Sequence, residues 1–244
     1  MYQVRAATHA DIDAITAFTT GTFSWGDYVA DALPAWLDSP GIVLVATHDD
    51  SPVAVSRILM LSPTEAWLHG ARVHPTHRRR GIGTMLNGAG CDWAKGEGAQ
   101  VARLLVEEWN GAARAQVTSL GYRETAPWMS ATIDIGSEGL PSTNGGRRVP
   151  GEERLAPARA ADADVAWMSW AASDLARTGR ELFPIGWHFR RLRPDDLAEA
   201  ATHRHLWHGP SGWLIAASSD TGELTVPWIS TSDLDVTRLI RALI

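Results

Sequence analysis

The chain has 244 residues, of which 45% are hydrophobic, and a formal net charge of -6 at pH 7. This content suffices for one large domain or two small ones. The acidic balance argues against a general nucleic-acid binder, which would carry a broad basic face. The single cysteine, Cys91, excludes an internal disulfide. Because no apolar run approaches about 18 residues or follows a basic start, we expect no membrane span, no signal peptide and a soluble cytoplasmic protein.

Hydrophobic periodicity and turn residues predict alternating strands and helices in the first half of the chain. In chain order these are a strand over Val4–Ala6, a helix over Thr8–Phe18, a hairpin of Ile42–Thr47 with Val53–Met60, a strand over Ala66–Val73, a helix over Gly81–Lys95, a strand over Val101–Glu107, a helix from Asn110 to Leu120, and two short strands or a hairpin between Tyr122 and Ile135.

The composition changes after this region. A stretch rich in glycine, proline and serine predicts a linker over residues 137–151. We therefore divide the chain into a domain over residues 1–136, that linker, and a smaller α/β half over residues 152–244. The segment Leu155–Asp162 echoes Val4–Asp11, and a later hairpin pattern resembles the first one, which indicates a partial, degenerate repeat.

The stretch VHPTHRRRGIGT, residues 73–84, places three arginines and two glycines between a predicted strand and a predicted helix. The first turn of a helix has N–H groups without partners, and the helix dipole adds positive potential there. Gly81 and Gly83 lack a Cβ and would let a bulky anion such as pyrophosphate approach the backbone. The alternative is a solvated basic loop that caps the helix. The loop matches neither a Walker motif nor a Rossmann fingerprint.

The same stretch resembles the acetyl-CoA loop of the GCN5-related N-acetyltransferase (GNAT) superfamily, whose pattern Q/R-x-x-G-x-G/A falls on Arg78, Gly81 and Gly83. Downstream, Leu104-Leu105-Val106 resembles the next strand of that family, Asn110-x-x-Ala113 the start of the next helix, and Leu120-Gly121-Tyr122 its end. The resemblance spans about residues 1–135. It implies an α/β fold of the GNAT type, with a mixed, mostly antiparallel sheet and a parallel pair of strands that splay at the acetyl-CoA site.

The resemblance also implies a function. The protein would transfer an acetyl group from acetyl-CoA, without a metal, to a primary amine of a small molecule or peptide by direct attack in a ternary complex. The backbone from Arg79 to Thr84 would hold the pyrophosphate, and the pantetheine arm would pair near Val73. The residues implied in acetyl-CoA binding are Val73, Arg78, Arg79, Arg80, Gly81, Ile82, Gly83, Thr84, Asn110 and Ala113.

Catalysis would need a base for the amine and a donor for the oxyanion. The backbone N–H of Val73 is the candidate oxyanion donor. His69 is the candidate base, because period two along the strand would put it on the face of Val73. The alternative is a hydrogen-bonded histidine in a half-buried strand. Glu65, at the strand edge, is a second choice.

Relatives often carry a tyrosine as the acid at the place of Val117, and Tyr122 matches a packing position instead. This departure leaves open a CoA-binding regulatory or interaction protein with weak or no catalysis, or an interaction module whose basic loop binds another anion. Phe23, Trp25 and Tyr28 lie where the family builds its acceptor site, and predict an aromatic pocket for an amine that the sequence does not name.

Other candidate clusters have plainer interpretations. Arg190, Arg191 and Arg193 are predicted to lie on a solvated face, or to meet an acidic substrate. His203, His205 and His208 have no cysteine or carboxylate set to complete a metal site, and are predicted to form a polar surface segment. Cys91 is predicted to be a packing residue.

Overall fold

The computed structural model describes residues 1–23, 26–132, 154–218, 223–232 and 236–243. Contacts divide the chain into two compact units, Met1–Arg123 and Glu124–Ile244, and each is described by itself. The predicted linker over residues 137–151 and the candidate residue Trp25 lie outside the described residues. Among the described helices, none combines the length and the hydropathy that crossing a lipid bilayer requires.

The N-terminal unit alternates strands and helices largely in the predicted order. Its elements are β1 (Tyr2–Ala6), a 3-10 turn (His9–Asp11), α1 (Ile12–Thr19), α2 (Val29–Leu37), β2 (Ile42–His48), β3 (Ser51–Ser62), β4 (Glu65–Val73), a 3-10 turn (Pro75–His77), α3 (Ile82–Gly96), β5 (Val101–Arg103) and α4 (Gly111–Ser119).

These strands form one sheet in the order β1-β2-β3-β4-β5. Neighbours from β1 to β4 are antiparallel, whereas β4 and β5 are parallel. The predicted mixed sheet with one parallel pair is therefore confirmed. Alternate residues of β2 bury on opposite faces: Leu44 joins the core under α3, and Val45 joins the core under α1 and α2. The sheet thus separates α3 from α1 and α2.

A β-bulge interrupts β4 at Gly70. Val55 of β3 pairs with Arg72, and Arg57 pairs with His69. One residue of β3 therefore lies opposite two residues of β4 between these pairs, so β4 contains one extra residue. Gly70 has a φ of +65°, and a Cβ there would stand 2.5 Å from the Trp36 ring. A side chain is therefore excluded both by backbone conformation and by the close packing of Trp36.

The bulge corrects one prediction. His69 packs its ring against Trp36, which belongs to the core of α1 and α2, with 4.9 Å between ring centroids. Val73 packs against the opposite core, under α3. The expectation that His69 and Val73 share a face is wrong, because the extra residue reverses the alternation of side chains between them.

Two predicted strands are shorter or missing. The strand expected to reach Glu107 ends at Arg103, and residues 122–132 form no strand. In the first case β4 no longer runs beside the chain, so the backbone has no partner to pair with. In the second, most of the residues are exposed and too little apolar surface is buried to offset the ordering of the backbone.

The C-terminal unit also alternates strands and helices. Its elements are β6 (Ala156–Pro157), a 3-10 turn (Ala160–Asp162), α5 (Ala163–Ala171), α6 (Asp174–Thr178), β7 (Leu182–Ile185), β8 (His188–Arg191), α7 (Pro194–Thr202), β9 (Leu206–Gly209), β10 (Gly212–Ser218), β11 (Leu224–Thr231) and α8 (Val236–Leu243).

The sheet of this unit has the order β11-β10-β9-β6, with antiparallel neighbours, and β7 and β8 form a separate pair. Its strands therefore neighbour one another in sequence order, as β1 to β4 do. Local contacts also correspond: Ala7 N donates to Val43 O, and Ala158 N donates to Leu206 O, both at 2.8 Å. The unit has its own apolar core, which includes Trp170 and Leu197.

One basic cluster of this unit differs from its prediction. Arg190 is 6% exposed and donates to both carboxylate oxygens of Asp196, with 2.7 Å from Nη1 to Oδ2. Burial alone would raise the pKa of Asp196, but hydrogen bonds from Arg190 and from the Arg193 N–H lower it. Arg190 therefore closes a buried ion pair at the start of α7 and does not lie on a solvated face.

Candidate active site

The loop between β4 and α3 presents backbone N–H groups at a helix start. Arg79 and Gly81 both have left-handed backbone angles, with φ of 61° and 77°, and Gly81 is the N-cap of α3. Met85 N donates to Gly81 O at 3.0 Å, which closes the first helical hydrogen bond. The N–H groups of residues 82–84 precede that bond and have no partner within the helix, so they and the helix dipole favour an anion.

The two glycines of this loop have different roles. A Cβ at Gly81 would meet nothing within 4 Å, so the backbone conformation alone explains the glycine, and the space beside it is open. A Cβ at Gly83 would stand 2.7 Å from Nε2 of Gln116 on α4. Gly83 therefore lets the side chain of α4 lie close to the start of α3. The open backbone at Gly81 fits a bulky phosphate group.

Two of the three arginines tie this loop to the sheet. The Arg78 Nε donates to Val73 O at 3.1 Å, and Arg80 Nη1 donates to the Tyr2 hydroxyl at 3.2 Å. All three arginines are exposed. They add positive charge around the helix start, while two of them also fix the loop against β4 and β1.

A histidine cluster lies beside the loop. The Tyr2 hydroxyl is 3.0 Å from Nδ1 of His77, whose ring centroid is 5.3 Å from that of His48 and 5.6 Å from that of His74. Burial lowers the pKa of His77, and the charge of Arg80 lowers it further. The sequence analysis did not predict this cluster, because its members come from strands that are distant in the chain and from the loop.

The parallel strands separate beside this loop. Pairing of β4 with β5 runs from Glu65 and Val101 to Trp67 and Arg103, whereas β4 continues to Val73. The carboxyl-terminal part of β4 therefore has an open edge where β5 has diverged. The predicted splay of this pair is present in the structure.

The backbone of Val73 faces this open edge. His74 N donates to Val53 O on β3 at 2.8 Å. Because N–H groups alternate sides along an antiparallel strand, the N–H of Val73 points away from β3. The Val73 carbonyl points the same way and accepts from Arg78. The geometry thus directs a backbone donor into the gap between the parallel strands.

An ion pair lies on the other side of the bulge, on the face of α1 and α2. The Arg72 Nε and Nη2 donate to the two carboxylate oxygens of Asp27 at 2.6 and 3.0 Å. The Asp27 side chain is fully buried. Burial alone would raise its pKa, but hydrogen bonds from Arg72 and from the Val29 N–H lower it. The segment between α1 and α2 is thereby fastened to the end of β4.

Aromatic rings surround this ion pair. Arg72 Cζ lies 4.9 Å from the ring centroid of Phe23 and 5.6 Å from that of Tyr28. Tyr28 contacts Trp36 edge-on, and Phe23 contacts Trp109 edge-on. Burial of the hydroxyl is the largest cause that raises the pKa of Tyr28, although 53% of the whole residue is exposed.

Of the remaining candidate residues, Asn110 and Tyr122 lie at or near α4. Asn110 caps this helix as expected, since its Oδ1 accepts from the N–H of Ala113 at 3.2 Å. The Tyr122 hydroxyl contacts Sγ of Cys91 on α3 at 3.3 Å, and burial raises its pKa. Glu65, the second candidate base, is at the start of β4, paired with Arg103 and away from the open edge.

The structure therefore brings the candidates together in two groups. The loop residues 78–84 and the N–H of Val73 lie at the open edge of β4, and Phe23, Tyr28 and His69 lie on the face of α1 and α2. In the part of the chain that the structure describes, no group of His, Cys, Asp or Glu residues could hold a metal ion.

Comparison with known proteins defines the class. Residues 11–122 match the family model described as Acetyltransferase (GNAT) family. This part of the chain is therefore a GNAT acetyltransferase domain, and the predicted resemblance is confirmed for it. No curated protein matches the chain.

Several solved structures are similar to just over half of the chain. A transcriptional regulator from Bacillus halodurans C-125 is 18% identical with a TM-score of 0.48, over 55% of this chain and 100% of that one. The ribosomal-protein-S18-alanine N-acetyltransferase from Escherichia coli is 21% identical with a TM-score of 0.47, over 52% and 80%. AAC(6')-Iy, in complex with a CoA-containing bisubstrate analog, is 16% identical with a TM-score of 0.46, over 55% and 99%.

Proposed function

We propose that the N-terminal domain is an N-acetyltransferase that transfers acetyl from acetyl-CoA to a primary amine of a small molecule or peptide. The observation that carries this proposal is the helix start at Gly81, placed directly beside the open edge of β4. The family supports acetyl-CoA as the donor. The acidic chain with one cysteine supports a cytoplasmic location.

In this proposal the donor lies on the side of α3. The N–H groups from Arg79 to Thr84 bind the pyrophosphate, and Arg78 and Arg80 add positive charge around it. The pantetheine arm runs along the open edge toward Val73. Asn110 and Ala113, at the start of α4, border the arm.

The acceptor approaches from the side of α1 and α2. Its nitrogen attacks the thioester carbonyl carbon, a C–N bond forms, and the C–S bond breaks. The N–H of Val73 stabilises the oxygen that gains charge. His69, or water that it orders, takes the amine proton. The bulge supports this role, because it turns His69 toward the acceptor side.

The leaving thiolate needs a proton, and the residue at the place of the tyrosine that relatives often carry is Val117. Val117 has no proton to give, and the Tyr122 hydroxyl is engaged with Cys91. We propose that water protonates the thiolate. The same observation favours the second candidate function, a CoA-binding regulatory or interaction protein that transfers acetyl slowly or not at all.

The C-terminal unit, in our proposal, is a partial copy of the first without a donor site. Its strands and first 3-10 turn follow the order of β1 to β4. The sequence between β11 and α8, Ser-Asp-Leu-Asp at residues 232–235, contains neither glycine nor arginine and so offers no counterpart of the glycine–arginine loop.

Titration of the whole protein with acetyl-CoA by calorimetry tests the proposal. We expect one site per chain, with a dissociation constant in the range of about 1 μM to 1 mM that is typical of enzyme substrates. Bulky side chains at the loop, in the double variant Gly81→Val with Gly83→Leu, should weaken binding by about tenfold or more. A side chain at Gly81 enters the open space beside the backbone that meets the phosphates, and one at Gly83 displaces Gln116 of α4 from the helix start.

Gly88→Ala is the matched control, since Gly88 lies on the same helix and a Cβ there meets nothing within 4 Å. Absence of binding, or equal binding by the loop variant and this control, would exclude the proposed donor site. If donor binding holds, acetylation of an amine panel with and without His69→Ala decides its role. Unaltered rates would remove His69 as the base. If no amine of the panel is acetylated, the second candidate function, a CoA-binding protein, remains.

A further inference from the structure

The ion pair with Asp27 and one backbone contact together engage all three nitrogens of the Arg72 guanidinium. Its Nε and Nη2 bind Asp27, and its Nη1 donates to Ala71 O at 3.0 Å. The side chains of Asp27 and Arg72 are 0% and 14% exposed. The pair is therefore a fixed, neutral unit, and Arg72 is not disposed to bind a second anion.

The faces of this guanidinium are occupied by rings from one segment. Phe23 and Tyr28 both come from the connection between α1 and α2, and both lie within cation–π distance of Arg72 on β4. Arg72, on β4, thus fixes the position of two rings that belong to the connection between α1 and α2. Lysine could not reproduce this, because it has neither the bidentate fork nor the flat face.

These rings continue into an aromatic wall made of Phe23, Tyr28, Trp36 and Trp109. Tyr28 is 53% exposed and Trp109 is 60% exposed, so much of the wall is open to an incoming molecule. Trp36 lies behind it, packed over Gly70 and against His69. The wall therefore begins at the candidate base and extends outward from the open edge of β4.

We propose that Arg72 is a positioning residue for this wall, and that the acceptor is a primary amine carried on an aromatic or flat apolar group. The inference rests on the proposed acetyltransferase function. Exposed ring faces and edges attract aromatic groups, which bury apolar area and adopt stacked or edge-on contacts. The carboxylate of Asp27, which would otherwise attract a polycation, is neutralised by Arg72. The wall thus favours one amine on an aromatic body over a polyamine.

The experiment compares 2-phenylethylamine, n-hexylamine and spermidine as acceptors for the wild type and Arg72→Lys, with acetyl-CoA saturating. We expect the wild type to prefer 2-phenylethylamine over spermidine by about tenfold or more in kcat/KM. Arg72→Lys should raise KM for 2-phenylethylamine by about tenfold and change the KM for acetyl-CoA by less than about twofold.

Arg5→Lys is the matched control, because Arg5 forms an equivalent two-bond pair with Asp11, at 2.8 and 2.7 Å, away from the wall. It should lower Tm without changing the KM for any amine. If Arg72→Lys raises KM equally for all three amines, or matches Arg5→Lys, the positioning role is overturned while the acetyltransferase function stands.

Tryptophan fluorescence tests amine binding directly, including the case in which no amine is acetylated. Titration of 2-phenylethylamine into the protein should saturably change the tryptophan fluorescence, since Trp36 and Trp109 belong to the wall. The change should require a several-fold higher amine concentration in Arg72→Lys. Acetyl-CoA binding without any such fluorescence change would overturn the proposed acceptor class and leave the donor site intact.

Discussion

His77 links the anion loop to titration near neutral pH. Its ring lies among His48 of β2, His74 and Arg80 of the loop, and the Tyr2 hydroxyl of β1. The pKa of His77 is lowered from 6.5, first by burial and then by the charge of Arg80. The ring is therefore neutral at pH 7 in the free protein. A pyrophosphate bound at the adjacent helix start would favour the charged form.

Acetyl-CoA should consequently bind more tightly as the pH falls from 8 to about 5.5, because binding takes up a proton. We expect His77→Gln to reduce this gain in affinity by about threefold at the acid end. The measurement is the dissociation constant of acetyl-CoA, determined by calorimetry at several pH values over this range. His203→Gln, in the C-terminal unit, is the control and should keep the wild-type slope. Identical slopes in wild type and His77→Gln would exclude a linkage through His77.

The same shift has the opposite consequence for the free protein. Because the pKa of His77 is lower in the folded state, the unfolded chain binds the proton more tightly. The free energy of unfolding should therefore decrease as the pH falls through about 6.5. Acetyl-CoA, by binding the folded state, should offset that loss.

At the scale of the element, the bulge in β4 decides which side chain faces which substrate. It exists because Gly70 adopts a φ of +65° under the ring of Trp36. Gly70→Ala would place a Cβ 2.5 Å from that ring, in a backbone region that alanine avoids. We expect a loss of about 2–4 kcal/mol in the free energy of unfolding, measured by urea denaturation.

Gly88→Ala again supplies the comparison. It replaces a glycine on an ordinary helical turn with open space around it, so it should stabilise the protein by about 0.5–1 kcal/mol. The double variant Gly70→Ala with Trp36→Phe should recover part of the loss, since the smaller ring relieves the contact. A Gly70→Ala protein as stable as the wild type would contradict the account of the bulge.

The loop and its flanking elements could be predicted from the sequence because local chemistry determines them. An apolar run, a glycine N-cap and a helical stretch occur within residues 66–96, and nothing distant is needed to specify them. The bulge could not be predicted, because it depends on Trp36, which lies far away in the chain. Strict alternation then placed His69 on the wrong face.

Two further bidentate ion pairs share a spacing that is visible in the sequence. Arg5 and Asp11, and likewise Arg190 and Asp196, are each six positions apart. In both cases the aspartate also accepts from a backbone N–H three residues earlier, at Thr8 and Arg193. An arginine on a strand, followed at this spacing by a helix-capping aspartate, is thus a signal for a bidentate pair with a buried carboxylate. The composition of the arginine cluster alone suggested a solvated face.

At the scale of the whole molecule, each unit has a core and a sheet of its own. The core of the C-terminal unit combines helices α5 and α7 with strands of its sheet. The N-terminal unit has separate cores on the two faces of its sheet. If only the first unit has a donor site, acetyl-CoA should shift the unfolding transition of the N-terminal unit. A core substitution in the C-terminal unit should shift the transition of that unit instead.

Calorimetric unfolding can separate the two contributions. Arg190→Met leaves the buried Asp196 with only the half-exposed Arg193, 3.6 Å away, as a charge partner, so the C-terminal unit should lose about 3 kcal/mol and unfold at a lower temperature. Acetyl-CoA at 100 times its dissociation constant should stabilise the N-terminal unit by about 2.7 kcal/mol and leave the lowered transition in place. The expected result is two resolved transitions, of which only the upper one moves with ligand.

Arg191→Met is the matched control for this substitution. Its side chain is 64% exposed and lies 3.5 Å from Glu181, and an exposed pair of this kind contributes at most about 1 kcal/mol. The control should therefore unfold like the wild type. A ligand-induced shift of both transitions in the Arg190→Met protein would mean that acetyl-CoA also stabilises the C-terminal unit. That result would contradict the assignment of the donor site to the first unit alone, because a unit that neither binds the ligand nor depends on it gains nothing by mass action.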